Sequence, residues 1–329
     1  MYESNNIIMR REFIYDSASF PECHASTLAE TSDGLVAAWF GGTGEGNPDV
    51  EIWMSRKEVD CWTAPARIAD GLQADGSCVP CWNPVLFQYP DGPLMLFYKV
   101  GPSVHTWWGM LKRSEDAGKT WSEAVRLPDG ILGPIKNKPV LLSNGELLCP
   151  SSIEISGNPK RCWQVQFETT GDFGKSWRSS GPVNDGMEIG AIQPSVLFTG
   201  GNTLLSIGRT LNGRIFRISS DDLGQTWGPM SLTTVPNPNS GIDAVTLQDG
   251  RHMMIYNHTE DGRSPINLAI SLDGDRWQTP LVIEDEPDAE FSYPAIIQTR
   301  DELVHITYTW KRTRIRHFVI DPKHIPFCG

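Results

Sequence analysis

Six short apolar stretches of this 329-residue chain are each preceded by a residue able to do chemistry and are closed by a turn. His24-Ala-Ser-Thr-Leu runs to Asp33-Gly34, Asn83-Pro-Val-Leu to Asp91-Gly92, and Lys138-Pro-Val-Leu to Asn144-Gly145. Gln193-Pro-Ser-Val runs to Gly200-Gly201, Asp243-Ala-Val-Thr to Asp249-Gly250, and Tyr293-Pro-Ala-Ile to Asp301. An imidazole, two amides, an ammonium, a carboxylate and a phenol together suit proton transfer and the binding of hydroxyl groups, provided that the fold brings them to one place.

Other residues extend the set. A carboxyl group on a surface loop can serve as a general acid or base. Glu45, in Gly42-Thr-Gly-Glu-Gly-Asn-Pro-Asp-Val, is the candidate, with an ordinary solvated loop carboxylate as the alternative. Asp49, four residues on, is either a second candidate or a cap for the same loop. Arg209 and Arg263 can hold an anionic or hydroxyl-rich ligand by bidentate bonds, or can be strand arginines paired to neighbours. Arg214 and Arg217 lie near enough to Arg209 for a slip of register to exchange them. His24 is a base or donor, its ordinary pKa lying near working pH, or else a satisfied core histidine. Tyr293 is a general acid or base, or an aromatic wall. Lys99, Lys136 and Lys138 would add positive charge, Asp243 would bond a hydroxyl, and Asn83 and Glu154 are further polar candidates. Trp107-Trp108 offers a stacking platform for a sugar ring or a piece of core. His105, His258 and His305 lack metal-ligand spacing, so no metal and no cofactor are expected.

The elements that would position these groups are written in a second repeat. Ser114-Glu-Asp116-Ala-Gly118-Lys-Thr120-Trp121 recurs as Thr170 to Trp177 and Ser220 to Trp227, then one residue short as Ser271 to Trp277, with a decayed copy at Ser55 to Trp62. A period of about fifty residues is that of a radial array, most often a β-propeller blade. An Asp followed two residues later by Gly suits a hairpin tip, since the carboxylate accepts nearby N–H groups and Gly tolerates positive φ. The Trp buries its ring beneath the turn. The reading is an all-β fold, a six-bladed β-propeller of four-stranded antiparallel blades, in one domain over residues 1–329. Its innermost strands would line a channel and bring the six leading residues to one end of it.

Composition fits a turn-rich β fold: 31 Gly, 24 Pro and no long amphipathic helical stretch. A net charge of −12 argues against nucleic acid and anionic membrane as partners, while still allowing a local basic pocket for an anionic sugar. Seven cysteines fit reduced thiols, and Cys78-Val-Pro-Cys81 has no second pair for zinc. The first eleven residues lack the apolar core of a signal peptide and no stretch is long and apolar enough to span a bilayer, so a cytoplasmic location is expected. No phosphate loop, GxSxG elbow or basic aromatic stripe is present. The oligomeric state is not readable.

The repeated turn signature, with Phe20-Pro-Glu-Cys-His-Ala-Ser-Thr, Gly44-Glu-Gly-Asn-Pro-Asp-Val, Lys136-Asn-Lys-Pro-Val, Asn237-Pro-Asn-Ser-Gly-Ile-Asp-Ala-Val and Ser292-Tyr-Pro-Ala, resembles the sialidase (neuraminidase) superfamily with Asp-box, or BNR, repeats. The resemblance runs from about Phe13 to Asp321 and is nearest to the predicted-neuraminidase branch. It implies an exo-acting glycoside hydrolase on a terminal acidic sugar, with an oligosaccharide or glycoside as its partner. It also implies Tyr293 as nucleophile, Glu45 on the acid/base loop, and Arg209 and Arg263 on the substrate carboxylate. The chain departs from that pattern twice, with His24 in place of the first arginine and Gln193 in place of the Glu that activates the tyrosine. A neutral amide cannot take a proton from a phenol. A lyase or hydrolase of uronic-acid glycosides using His24 and Tyr293, and a non-catalytic sugar-binding propeller, therefore stand beside the first reading.

Overall fold

The computed structural model describes residues 7–156 and 162–326. The strands form six four-stranded antiparallel sheets arranged as the blades of a propeller. Strand β1 (Ile8–Phe13) precedes the first complete blade, which is β2 (Glu22–Thr31), β3 (Gly34–Gly42), β4 (Glu51–Arg56) and β5 (Ala66–Ala69). Blade two is β6 (Cys81–Gln88), β7 (Leu94–Val100), β8 (Trp108–Ser114) and β9 (Val125–Arg126). Blade three is β10 (Val140–Leu141), β11 (Leu147–Ile155), β12 (Cys162–Thr170) and β13 (Arg178–Pro182). Blade four is β14 (Ala191–Gly200), β15 (Thr203–Thr210), β16 (Arg214–Ser220) and β17 (Ser231–Pro236). Blade five is β18 (Asp243–Thr246), β19 (His252–Tyr256), β20 (Ile266–Ser271) and β21 (Gln278–Glu284). Blade six is β22 (Phe291–Gln298), β23 (Val304–Trp310) and β24 (Arg314–Ile320), completed by β1 as its outer strand.

Each sheet is apolar on both faces because a blade has a neighbour on either side. Ala38, Ile52 and Met54 of blade one pack with Leu96 and Tyr98 of blade two, and Ile255 and Leu268 of blade five pack with Phe291 and Ile306 of blade six. Closure of the ring depends on β1. It pairs antiparallel to β24 from Phe13↔Arg316 to Ile8↔Ile320. The Glu12 carboxylate accepts from Lys57 at 2.7 Å, Trp62 at 3.0 Å and His317 at 2.9 Å. Burial pushes that carboxyl up, but His317 and Lys57 outweigh it and hold it down at about 2. The decayed fifth copy of the turn signature thus uses its tryptophan as a clasp.

The other copies are local staples. Asp116 accepts from the Thr120 N–H at 2.8 Å and the Thr120 hydroxyl at 2.7 Å, and the Ser114 hydroxyl donates to it at 2.8 Å. Thr170, Asp172 and Ser176 repeat the pattern, as do Ser220, Asp222 and Thr226. The tryptophan at the end of each turn reaches back to the preceding blade: Trp227 stacks on Phe167 with ring centroids 3.9 Å apart, and Trp177 meets Phe97 edge-on.

On the innermost strands the ladder is broken in register at equivalent places. It skips from His24 to Thr27, Trp82 to Val85, Ile192 to Ser195 and Ser292 to Ala295. The skipped pairs begin with Ala25, Asn83, Gln193 and Tyr293, all at positive φ between 41° and 55°. A non-glycine residue in that region costs on the order of 1 kcal/mol or more, and such strain gathers at functional sites.

Candidate functional site

Two of the bulges bring their side chains together. Tyr293 and Gln193 occupy corresponding positions on β22 and β14, and they touch: the Gln193 side-chain amide donates to the Tyr293 hydroxyl at 3.3 Å. Arg209, at the end of β15 and paired across the ladder with Ile192, donates through Nη1 to the same hydroxyl at 3.0 Å and to Gln193 Oε1 at 3.2 Å. Its Nε donates to Asn239 at 3.0 Å, and its guanidinium lies over the Trp163 ring, 5.1 Å from the centroid. Arg209 is 7% exposed and, among the described residues, all these partners are neutral.

His24 stands one position earlier than the bulge, where the register gives Ala25 as the residue equivalent to Tyr293. Its ring packs 4.1 Å from the Tyr293 ring, and Nδ1 is 3.1 Å from the Thr309 hydroxyl. Burial depresses its pKa well below the ordinary value, helped by Arg312, Arg263, Arg209 and Lys136, so the imidazole is neutral. Arg263 also lies over the tyrosine ring, 5.8 Å from the centroid. It donates to Glu290 at 2.9 Å, and Glu290 also accepts from Arg312 at 2.8 Å and Ser292 at 2.7 Å. Burial pushes the Glu290 carboxyl up, and Arg263 and Arg312 overcome that and leave it below its ordinary value.

Glu45 reaches this group from the β3–β4 loop by an ion pair with Arg312. Asp49 holds that loop in shape, accepting from the Thr43 N–H at 3.0 Å and hydroxyl at 2.8 Å, which is the capping role. Gly46 (φ 86°) brings the loop against Trp82, which meets Trp107 edge-on. Trp108 instead packs toward the core beneath Arg126.

Beneath the tyrosine, Lys136 is at positive φ and buried. Its ammonium donates to Asn137 at 2.8 Å and to the carbonyls of Ile242 and Pro294, and burial lowers its pKa to about 7. Asn137 donates to the Gln193 carbonyl at 2.9 Å. Gly241 leaves room above them, since a Cβ there would sit 3.2 Å from Lys136 and 3.4 Å from Gln193.

The remaining sequence candidates are built into the frame. Lys138 directs its ammonium at both oxygens of Asp243 and at the Ala244 carbonyl, all within 3.0 Å. Asp243 also accepts from Ser195 at 2.9 Å and the Ile296 N–H at 2.9 Å, tying blades four, five and six together. Lys99 is fully buried, donates to the Pro134 carbonyl at 2.8 Å, and is lowered to about 7 by burial beside Glu168. Asn83 is buried at the blade-two bulge. Arg214 and Arg217 make outer ion pairs with Glu260 and Asp275. His105 bonds the Glu154 carbonyl, His258 bonds Tyr256 and His305 bonds His317. Among the described residues no group of three or more His, Cys, Asp or Glu could hold a metal ion, and Cys78 and Cys81 are free thiols. None of the described helices is long and apolar enough to cross a membrane. Sequence reasoning missed Arg312, Glu290, Trp163 and Asn239; the run Trp310-Lys-Arg-Thr313 looks like any charged hairpin.

Six blades around an arginine-ringed tyrosine define a propeller of the sialidase superfamily. The chain belongs to the BNR repeat-like domain family, whose model matches residues 33–306. It is similar to a sialidase of Bacteroides fragilis, 23% identical over 225 residues, a match covering 62% of this chain and 40% of that protein. The match thus spans about two fifths of the relative's length. Among solved structures it is similar to a Dyadobacter fermentans protein of unknown function, with a TM-score of 0.77 and 17% identity over 95% of this chain and 98% of that one. The intramolecular trans-sialidase of Ruminococcus gnavus, solved with oseltamivir carboxylate, superposes with a TM-score of 0.75 at 12% identity, covering 97% of this chain and 98% of that one. A Streptococcus pneumoniae sialidase gives 0.74 and 12% over 96% of this chain and 71% of that one. At these identities the likeness is one of fold.

Proposed function

We propose that this protein is an exo-acting glycoside hydrolase that releases a terminal acidic sugar, with Arg209 on the sugar carboxylate and Glu45 and Tyr293 on the anomeric carbon. The observation that carries it is Arg209: a nearly buried guanidinium bonded only to a phenol and two amides among the described residues. A desolvated charge without a counter-ion is costly, and an anionic ligand relieves that cost. The solved neighbour that holds oseltamivir carboxylate supports a carboxylate ligand for this fold.

In this reading the Tyr293 oxygen bonds to the anomeric carbon as the glycosidic bond breaks. Glu45, open to solvent, donates its proton to the leaving oxygen. The phenolic proton leaves to water at the channel mouth, since Gln193 is an amide and His24 is held neutral by burial and its cationic neighbours. Arg209 and Gln193 both donate to the tyrosine oxygen and stabilise charge developing there. Water then releases the sugar, giving one proton to the Glu45 carboxylate, and the tyrosine oxygen regains its proton from solvent.

The packing of His24 on Tyr293, with an amide at 193, favours a second reading: a uronic-acid glycoside lyase with His24 as base and Tyr293 as acid. Turnover of aryl glycosides of sialic acid and glucuronic acid, and of rhamnosyl-glucuronate, separates the two. Saturated sugar released by the parent, with Tyr293→Phe and Glu45→Gln each slowed on the order of a hundredfold or more, supports the hydrolase. An unsaturated product absorbing in the ultraviolet, with Glu45→Gln unaffected, overturns it in favour of the lyase.

A further inference from the structure

The loop that carries Glu45 has few ties to the rest of the molecule. Its internal bonds, Thr43 to Asp49 and Asn47 to Thr43, fix its shape rather than its place. On one flank Gly46 touches Trp82 of blade two. On the other, the Glu45 carboxylate is gripped by Arg312 of the β23–β24 hairpin, 267 residues away in sequence. Arg312 is itself firmly placed. Its carbonyl accepts from the Cys23 N–H at 2.7 Å, and the Lys311 N–H donates to the Glu290 carbonyl at 2.8 Å, so the hairpin is fastened by backbone bonds that do not need the side chain. The guanidinium has two carboxylate partners, Glu45 through Nη1 and Glu290 through Nε, and Glu290 joins it to Arg263 beside the tyrosine.

We propose that Arg312 is a positioning residue that holds the Glu45 carboxylate over the channel mouth for the water-activating half of the reaction. The inference rests on the hydrolase reading above. Arg312 binds the ionised form of Glu45, which is the form that accepts a proton from water. In that half-reaction the water oxygen bonds to the anomeric carbon, the bond from that carbon to the Tyr293 oxygen breaks, the water proton goes to Glu45, and the tyrosine oxygen takes its proton from solvent water. The first half, in which Glu45 is protonated, does not draw on the ion pair. Losing Arg312 therefore slows release of the sugar more than its attachment.

The test uses Arg312→Met and Arg312→Lys in the full chain, with an aryl glycoside of whichever acidic sugar the parent turns over. In R312M, kcat falls at least tenfold while kcat/KM stays within about threefold, and a pre-steady-state burst of aryl alcohol appears as glycosyl-enzyme accumulates. R312K, which keeps the charge but loses the fork, retains most of kcat. In the Glu45→Gln background, R312M adds less than about twofold, because the two residues act as a unit. Hydrogen exchange gives a readout without substrate: amides of residues 43–49 exchange faster in R312M, while those of the turn at residues 114–121 are unchanged.

Equal losses in kcat and kcat/KM, an additive double variant, or unaltered exchange in residues 43–49 overturns the proposal. Full activity of Glu45→Gln, or release of an unsaturated sugar by the parent, is a failure of the hydrolase reading instead. The exchange experiment distinguishes the two, since faster exchange in R312M shows that Arg312 still holds the loop when the chemistry is something else.

Discussion

The turns at the blade edges and the mouth of the channel both satisfy charged side chains, but over very different lengths of chain. Asp172 takes its bonds from residues 170, 175 and 176, all within one hairpin tip. Arg209 reaches Asn239 and then Tyr293, 84 residues on, and Glu45 meets Arg312 across 267. The turn is complete without a ligand: burial is slight, every aspartate oxygen is bonded, and the Thr120 and Ser176 hydroxyls and N–H groups pull Asp116 and Asp172 down to about 2. The mouth is not complete, because among the described residues Arg209 lacks a counter-charge and Lys136 is held among carbonyls. Local satisfaction makes a staple, and long-range satisfaction left unfinished marks the proposed site.

The sharpest break of that contrast is Arg209→Met. Sugar affinity falls on the order of a hundredfold, about 2.7 kcal/mol, and the melting temperature does not fall, since an unpaired buried charge has been removed. A ligand titration alongside thermal unfolding reads both, and a stable variant that still binds the sugar would remove Arg209 from the site.

Next comes Asp243→Ala, which tests whether that residue belongs to the frame. It strands the Lys138 ammonium and releases three blades, so stability drops by about 3–5 kcal/mol in denaturant unfolding. A variant of parental stability would contradict that structural role.

The pH dependence of Lys136 follows. Its folded pKa of about 7 lies below its ordinary 10.5, mainly through burial. Between those values the unfolded chain binds the extra proton, so stability rises with pH through that window and declines again as pH falls toward 7. Lys136→Met flattens the rise in unfolding free energy between pH 7 and about 10; an unchanged slope would assign the rise to Lys99 alone.

The smallest effect is Asp172→Ala, which lowers the melting temperature slightly and leaves turnover intact. Its carboxyl is depressed from 3.8 to about 2, so its contribution is present above pH 4 and is lost as pH falls through that interval. A loss of turnover in this variant would join the turn to the chemistry.

The same contrast explains what was legible in the sequence. Tryptophans at intervals of about fifty and a proline after Asn83, Gln193 and Tyr293 mark turns and bulges, which are local events, so six blades could be counted directly. Arg209, Arg263, Tyr293 and Glu45 could be located by their distance from those landmarks. The substitution of Ala25 for His24 as the blade-one bulge residue was invisible, because a two-residue skip in register leaves no compositional mark. Lys136 and Lys138 were both plausible until register turned one beneath the tyrosine and the other onto Asp243. Arg312 and Glu290 had no signal, since their meaning lies in partners on another blade.

The clasp made by β1 sets an order of events. Tyr293 and Arg312 belong to the last blade, and that blade is finished only when Glu12 and its strand return from the far end of the chain to lie along β24. A ribosome-bound chain that has emitted five blades thus holds Arg209 and Glu45 without Tyr293 or Arg312. The group around Tyr293 is therefore complete only when the first and last strands of the ring meet.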